Sequence, residues 1–269
     1  MGFMKKFTKQ EISWMMYDWA NSAHSVIVVT ILPIFFDTVA GYTADSVSSM
    51  STWGFATSLA MAIVALSAPF LGVFGDIRGM RKKLFSFFML LGVAACAGMA
   101  FTPGMDFTSG PVAAGKVATL ILVLYIVSVI GFDASAIYYD AFLTDVTTED
   151  RMDKVSTMGY GLGYIGGSTI PLLIFLIMNL VGVPMLTCLA FVFGLTAVWW
   201  LAFSLPLLKN CEQTSGKPYE KGDVARSIKG VGTTIKEIIA NKPMLIYILS
   251  YFFYIDGVHT VISMATTYG

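Results

Sequence analysis

Charge is scarce in this sequence. Lys, Arg, Asp and Glu make up 13% of its 269 residues, against 56% hydrophobic residues, whereas a water-soluble domain carries about 25% charged residues. Histidine occurs twice and cysteine three times. Cys96, Cys188 and Cys211 neither form a disulfide framework nor fall at metal-ligand spacing, so they read as small apolar filler. Long polar stretches are missing too: the longest piece between apolar runs, 209–242, is too short to bury a core of its own. These shortages exclude a soluble catalytic domain. No nucleophile–base pair or metal cluster stands out, and nothing in the sequence calls for a cofactor, a metal or a nucleic acid.

What is present is a series of long apolar runs. Crossing a ~30 Å hydrocarbon core takes about 20 largely apolar residues per helix. Seven segments qualify: 12–36, 51–75, 84–102, 116–139, 155–179, 184–208 and 243–266. Leu59–Gly75 and Val117–Gly131 are apolar nearly all round, which excludes the ten-residue alternation of a membrane β-barrel. The fold class is therefore an all-α, multi-pass membrane protein with the lipid bilayer as its solvent. The first run carries Asp18 and Asn21 and ends in Leu32-Pro33 rather than a small-residue cleavage site, so it reads as a retained helix and not a signal peptide.

Net charge is zero, but its distribution is not even. Assigning alternate loops to one side gathers Lys5, Lys6, Lys9, Arg78, Arg81, Lys82, Lys83, Arg151, Lys154 and the seven bases of 209–242, leaving only Lys116 opposite. The positive-inside rule makes that basic side, with the N-terminus, cytoplasmic. The organisation expected is a six-helix unit over 1–208, a cytoplasmic linker over 209–242 and a lone seventh helix in 243–269. Within the linker, Val224, Ile228, Val231, Ile235 and Ile238 recur at helical spacing while Arg226, Lys229 and Lys236 fall elsewhere on the wheel, the pattern of an interfacial amphipathic helix.

Many secondary transporters consist of two parallel six-helix halves, which would make the seventh helix an echo of the first. Asn21-Ser22-Ala23-His24-Ser25-Val26-Ile27 aligns without gaps on Asp256-Gly257-Val258-His259-Thr260-Val261-Ile262, pairing Asn with Asp, His with His and Ser with Thr.

Three acids lie inside the spans, where Asp at a helix centre costs about 2.5–3.5 kcal/mol. Asp18 and Asp133 each sit six residues from the basic end of their spans, which predicts a common depth of roughly 9 Å and one shared cavity. Tyr17, Asp18, Asn21, His24 and Ser25 then make a broad polar face on the first helix, and Asp256 and His259 its counterpart on the seventh. Asp18 has the alternative of a helix N-terminus, whose dipole favours an anion. Asp133 lies near a C-terminus and has none, which makes it the first choice for coupling transport to protons. His24 and His259 read equally as hydrogen-bonded packing residues. Gly159, Gly163 and Gly167 form a small-xxx-small stripe for close helix packing. The loop Gly72-Val73-Phe74-Gly75-Asp76-Ile77-Arg78-Gly79-Met80-Arg81-Lys82-Lys83 reads either as a positive anchor or as a cytoplasmic latch, with Asp76 and the bases gripping a helix end in one conformation.

That loop resembles the signature loop of the major facilitator superfamily, with Ile77 standing where the family usually has an arginine. More specifically, Tyr17-Asp18-Trp19-Ala20-Asn21-Ser22-Ala23, Tyr139-Asp140-Ala141-Phe142-Leu143, Gly163-Tyr164-Ile165-Gly166-Gly167, and Asp256-Gly257-Val258 with Tyr268-Gly269 resemble the vacuole-effluxer-like branch. Asp140 stands where that branch has asparagine and Thr144 where it has proline. The resemblance implies an N-terminal six-helix bundle of a major facilitator fold plus one helix of the second half. It implies that the rest of that half, with the latch partner and one cavity wall, is missing from this chain. It further implies a small polar solute, an amino acid in the best-known relatives, moved outward by alternating access across a bacterial cytoplasmic membrane. A non-transporting scaffold or sensor that keeps the fold is the alternative.

Overall fold

The computed structural model describes residues 7–43, 46–218 and 223–268. Among the described residues, six helical spans are long and apolar enough to cross a bilayer: Lys9–Ala40, Ser49–Gly75, Arg81–Gly104, Pro111–Val146, Glu149–Leu180 and Met185–Asn210. The first consists of α1 (Lys9–Thr30) and α2 (Leu32–Ala40). It breaks at Ile31 because Pro33, lacking an N–H, cannot bond back to Val29. A capping box starts α1: the Thr8 hydroxyl accepts from the Glu11 N–H while the Glu11 carboxylate accepts from the Thr8 N–H.

Next come α3 (Ser46–Gly75), α4 (Arg81–Met99) and α5 (Pro111–Val146). The fifth span is not one regular helix. α6 (Met152–Leu162) passes into a π-helical segment, Gly163–Ser168, and continues as α7 (Thr169–Leu180). α8 (Met185–Asn210) completes the six, and α9 (Asp223–Ala240) and α10 (Lys242–Tyr268) follow, meeting at an angle of about 100°.

α1 lies against α8, α6 and the π segment, while α5 packs on α3 and α4. Glycine permits the closest approach. A Cβ on Gly131 of α5 would meet the Gly92 nitrogen of α4 at 2.5 Å and the Phe88 carbonyl at 2.7 Å, backbone atoms with no room to move. The buried interior divides in two. One apolar cluster, around Ile27, Phe35, Trp53, Ile121 and Phe193, fills the end that carries the α4–α5 loop. The other, around Trp14, Tyr17, Phe85, Tyr138, Phe142 and Trp200, fills the end rich in bases. Between them lies a buried polar layer of Asn21, His24, Ser128, Ser135 and Thr196.

Candidate functional site

α1 presents two polar rows, not one broad face. Tyr17, Asn21 and His24 are buried inside the bundle, whereas Asp18, Ser22 and Ser25 are half-buried. Each row follows i, i+4, i+7, and one residue's 100° rotation separates them. The inner row is tied down by bonds of fixed direction. The Ser135 hydroxyl donates to the Phe132 carbonyl at 2.8 Å, so Tyr17 donates to Ser135 at 2.8 Å, and Tyr17 in turn accepts from the Trp200 indole at 3.3 Å. His24 repeats the pattern. Its Nε2 donates to Ser128 at 3.2 Å, since that hydroxyl donates to the Tyr125 carbonyl, and its ring stacks on Phe132 with centroids 4.8 Å apart. Tyr17 and His24 are thus bonded into the polar layer inside the bundle.

The outer row carries Asp18. Its Oδ2 accepts from the Tyr139 hydroxyl at 2.9 Å, and the Tyr139 ring is itself held by stacking on Trp14 at 4.3 Å. Gly159 of α6 closes the other side: a Cβ there would stand 2.6 Å from the same carboxylate oxygen. Gly163 and Gly167 likewise seat the π segment against Ser22 and the backbone of Asp18 and Trp19.

Asp18 and Asp133 do not share a depth. α1 begins at Lys9 and α5 runs on to Val146, so Asp18 lies nine and Asp133 thirteen residues from the basic end, about 14 and 20 Å. The expectation of equal depth took the apolar run as finished seven residues early, at the charges of 140 and 145, whereas α5 continues to Val146. Asp140 lies six residues from that end, about 9 Å, beside Tyr139 and close enough to Asp18 for their charges to interact. Asp133 and Asp140 follow i, i+7 on α5, so the three carboxylates form a staggered series. Asp133 is half-buried, and its Oδ2 is enclosed with no hydrogen-bond partner among the described residues. Asp256 is exposed on α10, which packs against α1 and α2; the side chain of His259 lies outside the described residues.

At the basic end, Arg81 is buried and does most of the holding. It pairs with Asp145, donates to the Ala141 carbonyl at 2.9 Å and to Ser215 at 3.2 Å. Asp76 stands 3.9 Å away and is mostly in solvent. Gly79 adopts φ +80°, the left-handed turn that lets the chain reverse into α4. The segment 211–217 straps this loop down. The Gln213 side chain accepts from the Gly79 N–H at 2.8 Å and donates to the Gly75 carbonyl at 3.0 Å, while Arg78 and Asp76 pair with the Lys217 backbone. Thr214 and Ser215 donate through backbone and side chain to Asp145, and Lys82 donates to the Cys211 carbonyl at 3.1 Å. The expected latch partner was a helix end in a second half; the helix end gripped here is that of α5. Gly72 has open space around it, and the side chains of Arg78 and Lys83 are exposed.

Sequence reasoning named Tyr139 only within a family motif and gave no role to Asp145, Gln213 or the Glu11–Arg151 pair, which meets at 2.8 Å through two parallel bonds. For Glu11 a signal existed, the capping-box spacing of Thr8 to Glu11. For Gln213 there was none, because nothing local ties it to a loop more than 130 residues earlier.

The chain matches the vacuole effluxer Atg22-like family over residues 42–269. It is 40% identical over 274 residues to an uncharacterized MFS-type transporter, YxiO, of Bacillus subtilis, covering 99% of this chain and 61% of the relative. Two fungal proteins called autophagy-related protein 22-1 are more distant. That of Sclerotinia sclerotiorum is 27% identical over 128 residues and that of Penicillium rubens 26% over 125, each covering less than half of this chain and 21% of the relative. The chain therefore spans about three fifths, or less, of the length of the relatives it matches.

Proposed function

Because the chain belongs to the vacuole effluxer Atg22-like family, we propose that it works as part of a secondary transporter that moves a small polar solute across a membrane by alternating access. The observation that carries this reading is the staggered series of Asp18, Asp140 and Asp133 on facing parts of α1 and α5. None of them has an ion-pair partner among the described residues. An acid inside a span costs about 2.5–3.5 kcal/mol, and a scaffold has no use for three. A solute bearing an ammonium group, an amino acid in an outward-moving cycle, is the cargo such a row would receive. Asp133 is the residue to take up and release the coupling proton, since its enclosed oxygen meets no donor. The basic end faces the cytoplasm of a bacterial cell under the positive-inside rule, and a second helical half closes the other wall of the cavity.

The test uses the full-length gene product in liposomes loaded with a panel of radiolabelled amino acids. Asp133→Asn is expected to abolish accumulation driven by a pH gradient while leaving solute-for-solute exchange intact, because exchange needs no net proton movement. The 269-residue chain alone serves as a flat control. If the variant accumulates solute with unchanged dependence on the gradient, Asp133 is a packing residue.

A further inference from the structure

Independently of what is transported, α9 has a place and a composition that call for a partner. It begins six residues after Lys217 of the strap, which pairs with the backbone of Asp76 and Arg78 at the basic end of α3. Its end passes at Asn241 into α10, which turns away at about 100°. α10 packs on α1 and α2, so an 18-residue helix, about 27 Å long, set at about 100° to it runs across the bundle and along the membrane surface, and α9 lies beside α3.

One side of α9 is apolar. Val231, Ile235, Ile238 and Ile239 follow i, i+4, i+7, i+8. Val231 and Ile238 are half-buried, but Ile235 is 50% and Ile239 59% exposed. Lys229 and Lys236, seven residues apart and both exposed, lie about a third of the way round the wheel on one flank of that stripe, while Thr233 and Glu237 fall on the far side. Long lysine stems at the edge of an apolar stripe place their ammonium groups at headgroup height with the stripe in the acyl boundary. We propose that α9 is a lipid-binding surface that docks on the anionic leaflet at the basic end of the protein, with Lys229 and Lys236 contacting lipid phosphates. A protein partner covering the stripe would leave these two flanking cations without a counter-charge, which is why the bilayer is the occupant favoured.

The experiment keeps the whole chain, reconstituted in nanodiscs of phosphatidylcholine alone or with one third phosphatidylglycerol. Single cysteines replace Val231, Thr233, Ile235, Glu237 and Ile239 in turn and carry a nitroxide label. Labels at 231, 235 and 239 are expected to favour collision with oxygen and those at 233 and 237 with a water-soluble nickel chelate. Adding phosphatidylglycerol should raise the oxygen preference at 235 at least twofold, and Lys229→Gln with Lys236→Gln should remove that gain. Shielding of 231, 235 and 239 from both reagents would mean that protein covers the stripe, and equal exposure of all five to the chelate would mean that nothing does; either overturns the proposal. So would an oxygen preference indifferent to phosphatidylglycerol or to the lysines.

Discussion

Arg81 meets two carboxylates of unequal worth. Its pair with Asp145 is enclosed, with side-chain exposures of 6% and 0%, whereas Asp76 is 83% exposed. Breaking a buried pair strands a charge and costs about 3–5 kcal/mol, while an exposed pair contributes roughly 0–1 kcal/mol. Asp145→Asn is therefore expected to lower the melting temperature in detergent sharply, and Asp76→Asn to change it little. Equal losses would show that the loop, not the buried pair, holds this end together. The sequence brings Arg81 into view through its loop, but Asp145 looked like a loop residue outside the span. A single charge after a long apolar run is read as the run's end, and only the continuing backbone hydrogen bonds of α5 show otherwise.

At the scale of elements, the π-helical segment has the greatest influence on the candidate site. Its wider turn carries an extra residue, which brings Gly166 as well as Gly163 and Gly167 against α1. A Cβ on Gly166 would fall within the ring of Trp19, and Trp19 also offers its carbonyl to the Trp199 indole at 2.9 Å. Gly166→Ala should destabilise by about 1–3 kcal/mol through overpacking. Gly161→Ala, where nothing lies within 4 Å, should instead be neutral or stabilise by about 0.5–1 kcal/mol as a helix-interior replacement. Thermal unfolding of the two variants gives opposite signs if the π segment is seated as described. The stripe at 159, 163 and 167 was legible from its four-residue spacing. Gly166 was not, since a pattern search at 3.6 residues per turn has no place for a π turn.

Across the whole molecule, the six apolar spans were readable because bilayer thickness sets their length, and the charge ledger gives them an orientation. Cysteines placed at Arg78, Asp150 and Lys217 should escape an impermeant maleimide in intact cells, while one at Ser109, exposed at the opposite end, should react. The three native cysteines are buried, and burial pushes the Cys211 thiol up to about 11, so background labelling stays low. Reaction at 78, 150 or 217 would reverse the orientation. Of the polar layer between the two apolar clusters, Asn21 and His24 were legible as part of a polar face on α1, but Ser128, Ser135 and Thr196 were not, because lone hydroxyls in long apolar runs carry no signal until packing brings them to that face.

The strap also sets an order of events in biosynthesis. Residues 210–217 reach back to Ser13 and Gln10 near the start of the chain, to the loop after α3 and to the end of α5. The six helices can therefore lock as soon as residue 217 has left the ribosome. At about 5–20 residues per second, the six helices have seconds in which to close before α10 emerges, so that helix meets a finished surface instead of competing for a place within it. A nascent chain cut at residue 218 should already resist protease in membranes, and one cut at residue 210, seven residues short of the last backbone pairing, should not.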